Sequence, residues 1–290
     1  MPMVFGAIAP HGFPIIPELS DDAEGALATR RAMHELGRQC AAAGVDAIVV
    51  AGPHGVRVDG AVCLADVARG AGTLFWKERS VEMNIPLDGP LTAAIARAAS
   101  EQGIPIARAG YAGNRWDQSC IPLDWGVMTP LWFLGHGRNL PGKGHVLAEP
   151  PEEDLGPPAV IVTPSRSVPR ETLIAFGRAV ADAAVASDRR VAFVASCDWG
   201  HRHKADGPYG FHEASARVDG MVVDAITSGD LHALLQITDQ DAAHAAIDGL
   251  WQALMLAGVI ERVPMRGQLI CYEAPSYYGM IVASYDPIST

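Results

Sequence analysis

Residues 4–12 read VFGAIAPHG and residues 47–55 read AIVVAGPHG. In each stretch a β-prone apolar run ends at a proline, a histidine and a glycine. An uninterrupted apolar run is what a strand buried on both faces of a parallel sheet requires. Between them, residues 21–43 place Leu27, Met33, Leu36 and Cys40 near one face, with Gly44 as a stop, which is the pattern of a helix. Strand, helix and strand make a βαβ unit. Its two strands are expected to be parallel neighbours joined by a right-handed crossover.

The same alternation continues. Further helices are expected at residues 90–102, 124–134, 169–187, 214–228 and 240–257, with Pro169 at a first-turn position that tolerates proline. Strands are expected at 104–109, 159–163 and 191–195, and within 268–284. Residues 135–158 are rich in Gly and Pro without periodicity, and read as a long loop joining two halves of one domain. No internal repeat is apparent. The expected architecture is a single α/β domain over residues 1–290, with a mostly parallel or mixed central sheet flanked by helices. Its site should lie at the C-terminal ends of the strands.

Composition narrows the function classes. A net charge of −11 is the wrong sign for a phosphate-binding surface, so nucleic acid is not an expected partner. Five scattered cysteines with no CxxC pair argue against a disulfide framework and a cysteine zinc site. The opening MPMVFGAIAPHG has no basic region, and no apolar stretch approaches the ~18 residues of a membrane span. The expected setting is therefore cytoplasmic, without a membrane partner. No GxGxxG opens the first βα unit, which speaks against a dinucleotide enzyme.

Ligands of open α/β sheets bind outside the carboxyl ends of the strands. His11 and His54 should thus face one crevice, where two neutral imidazoles invite a metal ion. Just past the run at 191–195 comes SCDWGHRH, residues 196–203. His201, nearer the strand end, is the better candidate for a third ligand or a proton carrier; His203, followed by Lys204, reads first as solvated. A metal that activates oxygen also needs a carboxylate, as in the two-histidine, one-carboxylate triad that leaves half an octahedron open. Asp248 stands early in the apolar run 242–257, with His244 and Trp251 at helical spacing. A carboxylate there is costly to bury unless paired or metal-bound. The alternative is a solvent-facing residue beside Gly249.

In order and spacing these residues resemble the class III extradiol dioxygenases, the superfamily of the protocatechuate 4,5-dioxygenase catalytic subunit. The likeness runs over most of the chain. It rests on His11, His54, a D-x-G-x-x-x-P-L segment at residues 124–131, His201, and an acidic residue opening a C-terminal apolar helix, matched without a gap from Asp248 to Val259. The resemblance implies Fe(II), or otherwise Mn(II) or Zn(II), held by His11, His54 and Asp248. It implies His201 as the acid–base group, and an aromatic substrate with O2. It also implies a homo-oligomer, a dimer being the simplest, or pairing with a small partner subunit. Two departures stand out. The family carboxylate is usually Glu, one methylene longer than Asp248. Many catechol-cleaving members carry a histidine where Trp125 stands. An aromatic residue there and an S-H-x-H segment like residues 200–203 are similar to the o-aminophenol-cleaving branch, which makes Trp125 and His203 substrate-binding candidates. Two other readings keep the fold: a zinc-dependent hydrolase, and a metal-binding relative without turnover.

Overall fold

The computed structural model describes residues 2–111, 115–153 and 156–288. Strands β1 (Met3–Ala9), β2 (Ala47–Ala51), β3 (Val62–Ala65), β6 (Ile106–Ala109), β8 (Ala159–Pro164), β9 (Val191–Ser196), β10 (Met265–Glu273) and β11 (Met280–Pro287) form one mixed sheet in the order β10-β11-β1-β9-β2-β8-β3-β6. β1, β9, β2 and β8 run parallel to one another, and β10 at one end runs with them, while β11 beside it and β3 and β6 at the other end run the opposite way. A second sheet holds β4 (Arg69–Trp76), β5 (Arg79–Pro86) and β7 (Cys120–Pro122) in the order β5-β4-β7.

The expected pairing of the first two strands is corrected here. β1 and β2 are parallel but not neighbours, because β9 lies between them: Ala7 stands opposite Val194, and Ala51 opposite Ala195. The slot between two fully covered strands demands residues apolar on both faces, and VAFVAS is buried throughout. The insertion brings the carboxyl ends of β1, β9 and β2 side by side.

Alternate residues of the central strands feed two cores. Ala47, Val49 and Ala51 face the layer of α2 (Gly89–Glu101), α4 (Arg170–Ser187), α5 (Ala214–Ser228) and α7 (Leu250–Arg262). Ile48 and Val50 face α1 (Leu27–Ala42), α3 (Trp125–Leu131) and the small sheet. The helix expected from residue 21 begins only at Leu27, since Glu24 and Gly25 sit at φ of 50° and 87°, outside any right-handed helix. The loop at 135–158 is pinned beside β5, where the Gly144 N–H donates to Glu82 and the Glu82 N–H donates to Asn139; residues 154 and 155 lie outside the described residues.

A second correction matters more. The helix expected over 240–257 is two helices, α6 (Asp239–Ala245) and α7, separated where Ala246 turns left-handed at φ 53°. Asp248 lies in that break and not on a helix face. What fixes the break in space is the crossing of α4 and α7. A Cβ on Gly177 would fall 1.9 Å from the Met255 carbonyl oxygen, and one on Gly258 would fall 1.9 Å from that of Ile174. The two backbones touch, and no side chain separates them. Among the described residues no helix is long and apolar enough to cross a membrane, and all five cysteines are free.

Gly258→Ala should therefore force α7 off α4 and destabilise the chain by at least ~1–3 kcal/mol. Urea unfolding of the variant checks this, and an unchanged midpoint would contradict the close crossing.

Candidate metal centre

His11 extends from β1, His54 from β2, and Asp198 with His201 from β9, while Asp248 enters from the break before α7. Ligand atoms of His11, His54 and Asp248 lie within 4.8 Å of one another. His11 Nε2 is 3.3 Å from Asp248 Oδ2 and 3.4 Å from Asp198 Oδ2, and His54 Nε2 is 3.9 Å from Asp248 Oδ2. His11, Asp198 and Asp248 are nearly inaccessible, at 1, 4 and 6%. The two glycines of the matched tripeptides have separate reasons. A Cβ at Gly12 would lie 2.2 Å from the Tyr278 hydroxyl, whereas Gly55 adopts φ 88°.

Hydrogen bonds orient the donors. The Ser196 hydroxyl donates to the Gly126 carbonyl, so its oxygen is left to accept from His11 Nδ1–H at 3.1 Å. That assignment puts the proton of neutral His11 on Nδ1 and turns the Nε2 lone pair toward the carboxylates, the arrangement a ligating histidine needs. The carboxylates are tied alike. Asp198 Oδ1 accepts the His11 N–H at 3.1 Å, and Asp248 Oδ1 accepts the Asp198 N–H at 3.0 Å. Each keeps its Oδ2 for the centre.

The charges follow from this packing. Burial alone would lower the pKa of His11, but Asp198 and Asp248 outweigh it and raise it to about 9. His54 is lowered to about 4, by burial first and then by the charge of His11. Of the two acids, Asp198 is raised, chiefly by burial, and Asp248 is lowered because His11 overcomes its burial. Of the two, Asp248 is the more readily ionised. The residues present fit a divalent ion: two open imidazole nitrogens, one ionised carboxylate, a second acid alongside, and a single proton to displace.

The other expected residues divide. His201 Nε2 is 3.9 Å from Asp248 Oδ2, and its Nδ1 is buried without a partner among the described residues. Trp125 opens α3 and its ring lies 4.6 Å from that of His54. Both line a cavity of about 440 Å³ over the donor set, a size suited to one ring. His203 does not line it. Its Nε2 is 2.8 Å from Asp219, a buried acid that also accepts the Gly200 N–H and the Tyr272 hydroxyl. His244 also lies apart from the cavity, its ring 4.6 Å from that of His212.

Sequence reasoning missed Asp198 and Arg166, and left Tyr277 and Tyr278 unassigned; all four line the cavity. The signal for Asp198 was its place two residues past a buried strand. The tyrosines arrive because residues 199–203 run along 277–279: Trp199 N–H donates to the Gly279 carbonyl and His203 N–H to that of Tyr277.

Comparison with known proteins points the same way. The family model described as the catalytic LigB subunit of aromatic ring-opening dioxygenase matches residues 6–283. Protein CA_C1420 of Clostridium acetobutylicum is 23% identical over 284 residues, or 97% of this chain and 57% of that protein. The chain thus spans a little over half the length of this curated relative. The crystal structure of an uncharacterised Escherichia coli K12 protein, JW3007, shares the fold with a TM-score of 0.56 at 14% identity, covering 97% of this chain and 99% of that one.

An ion must displace the His11 proton, so Mn(II) or Zn(II) affinity should rise about tenfold per pH unit from neutrality and level off near pH 9. In the metal-free chain the same proton stabilises fully below 6.5, and that stability is lost as pH rises through about 9. Ser196→Ala should weaken the ion by about 10–100-fold. Metal titration across pH checks both; a flat profile would reject the one-proton competition.

Proposed function

Because the chain belongs to the family of the catalytic LigB subunit of aromatic ring-opening dioxygenases, we propose that it opens, with O2, an aromatic ring bearing two adjacent hydroxyls or a hydroxyl and an amine. Fe(II) is held by His11, His54 and Asp248. The observation that carries this reading is the convergence of those three ligand atoms beneath a ring-sized cavity that His201 also lines. Bound there, Fe(II) supplies a place where substrate and O2 meet and electrons pass from ring to oxygen.

The rest is work for the chain. Two histidines and one carboxylate hold the ion while leaving room for substrate. His201, with one nitrogen toward Asp248 and the other unpartnered, takes the proton of a substrate hydroxyl or amine and returns it as the ring opens. Trp125, beside His54, gives the ring a flat wall in place of a second proton carrier. Tyr278 stacks on His201 at 5.7 Å, interplanar angle 21°, and closes the cavity on that side. Short as it is, Asp248 brings its Oδ2 to 3.3 Å from His11 Nε2.

The protein purified without oxygen and loaded with Fe(II) should consume O2 with a member of a catechol and o-aminophenol panel and form a yellow product. Uptake should vanish in His11→Ala, His54→Ala and Asp248→Ala. His201→Gln should keep the metal and slow turnover about 10²–10⁴-fold. No uptake across the panel by iron-loaded protein, or turnover unaffected by Asp248→Ala, would overturn the assignment.

A further inference from the structure

His201 lines the cavity, yet among the described residues no hydrogen bond orients its ring: Nδ1 has no partner, and Nε2 comes no nearer to Asp248 than 3.9 Å. A proton-carrying histidine is commonly aimed by a hydrogen bond to its second ring nitrogen. Here the aim has to come from the backbone that carries it. Residues 200–203 lie along the start of α5, so close that a Cβ on Gly200 would fall 2.6 Å from the Cα of Ser215. One face of that helix holds them. The Ser215 hydroxyl accepts the Arg202 N–H at 3.0 Å, and one turn on, Asp219 Oδ1 accepts the Gly200 N–H at 2.8 Å. Asp219 Oδ2 accepts from the His203 imidazole at 2.8 Å and from the Tyr272 hydroxyl at 3.0 Å. The carboxylate thus grips the chain on both sides of His201. It is wholly buried, and Gly279 makes room for it, since a Cβ there would fall 1.9 Å from Oδ2. A buried carboxylate is costly unless its lone pairs are used, and three donors use them here.

We infer that Asp219 is a positioning residue for His201: through Gly200 and His203 it fixes the imidazole over the donor set, without itself lining the cavity. This rests on the ring-opening reading for what His201 does, and on the hydrogen bonds for where His201 is held. His11, His54 and Asp248 reach the centre from β1, β2 and the break before α7. A change at Asp219 should therefore move His201 and leave the ion in place.

An amide has one carbonyl oxygen, so Asp219→Asn cannot serve Gly200 on one side and the His203–Tyr272 pair on the other. With Fe(II) and the panel ring turned over best, Asp219→Asn should lower kcat about 10–100-fold, with KM and Mn(II) affinity within about twofold of native. In a His201→Gln background the same change should cost less than about twofold, since nothing is left to position. His203→Gln, which keeps an N–H donor for Asp219, should retain most of the turnover, and His203→Leu should lose as much as Asp219→Asn. Geometry can be read without turnover, by magnetic resonance of isotope-labelled histidines in the Zn(II)-loaded protein. Asp219→Asn should shift or broaden the ring signals of His201, assigned through His201→Gln, and leave those of His11 and His54. If Asp219→Asn does not fold, the His203 pair serves both readouts. Native-like kcat, an equal loss in both backgrounds, metal affinity lost alongside kcat, or unmoved His201 signals would each overturn the assignment. The two readings separate. If the native chain consumes no O2 with any panel ring, the reaction falls and the His201 signals alone decide on Asp219. Uptake with an equal loss in both backgrounds keeps the reaction and removes the positioning role.

Discussion

Two buried carboxylates approach one imidazole nitrogen, at 3.3 and 3.4 Å from His11 Nε2, and this is the interaction around which the molecule is arranged. Acids so placed repel each other and have lost their water, a combination tolerated only when hydrogen bonds and a cation compensate. The backbone supplies the hydrogen bonds, through N–H groups of residues 11 and 198. A proton on His11, or an ion in its place, supplies the cation. Strand order serves the same end. With β9 between β1 and β2, Asp198 is delivered between the two histidines, where a simple βαβ neighbour pair would have left a gap.

The sequence was most readable where chemistry and secondary structure coincide. The tripeptides at 10–12 and 53–55 end strands as expected, and the acid at position 248 reaches the centre. The reason attached to that acid was the wrong one, since helical periodicity runs unbroken through 242–257 while the chain turns left-handed at Ala246. Periodicity reports which residues are apolar. It does not report a break whose residues are buried as well. Strand pairing was illegible for a related reason: which strand fills the slot between β1 and β2 depends on contacts as far apart in the chain as Ala7 with Val194 and Ala51 with Ala195. The strands at 62–86 escaped because β4 and β5 expose Phe75, Arg79 and Ser80 at their turn and alternate only loosely.

His203 and Trp125 were drawn to the site by the same resemblance, and they part company in the structure. Trp125 is the first residue of α3, at the cavity wall. His203 faces away, into the Asp219 carboxylate of α5, which gathers a backbone amide and an imidazole from the loop and a phenol from β10. That acid holds residue 200, so it settles where residue 201 begins. A histidine two residues from one that lines the cavity can thus be part of its mounting, and type and spacing alone do not separate the two places.

The glycine crossing of α4 and α7 has a consequence for the ion itself. Where backbones touch, there is no side chain to compress, and α7 carries the Asp248 end of the donor set as a stiff strut. The opposite side hangs on two short loops beyond β1 and β2. An ion bound here would meet an acid held by the helix crossing and a buried His11 held by Ser196 and Asp198, so adjustment to its radius would fall to His54, the more exposed of the two imidazoles.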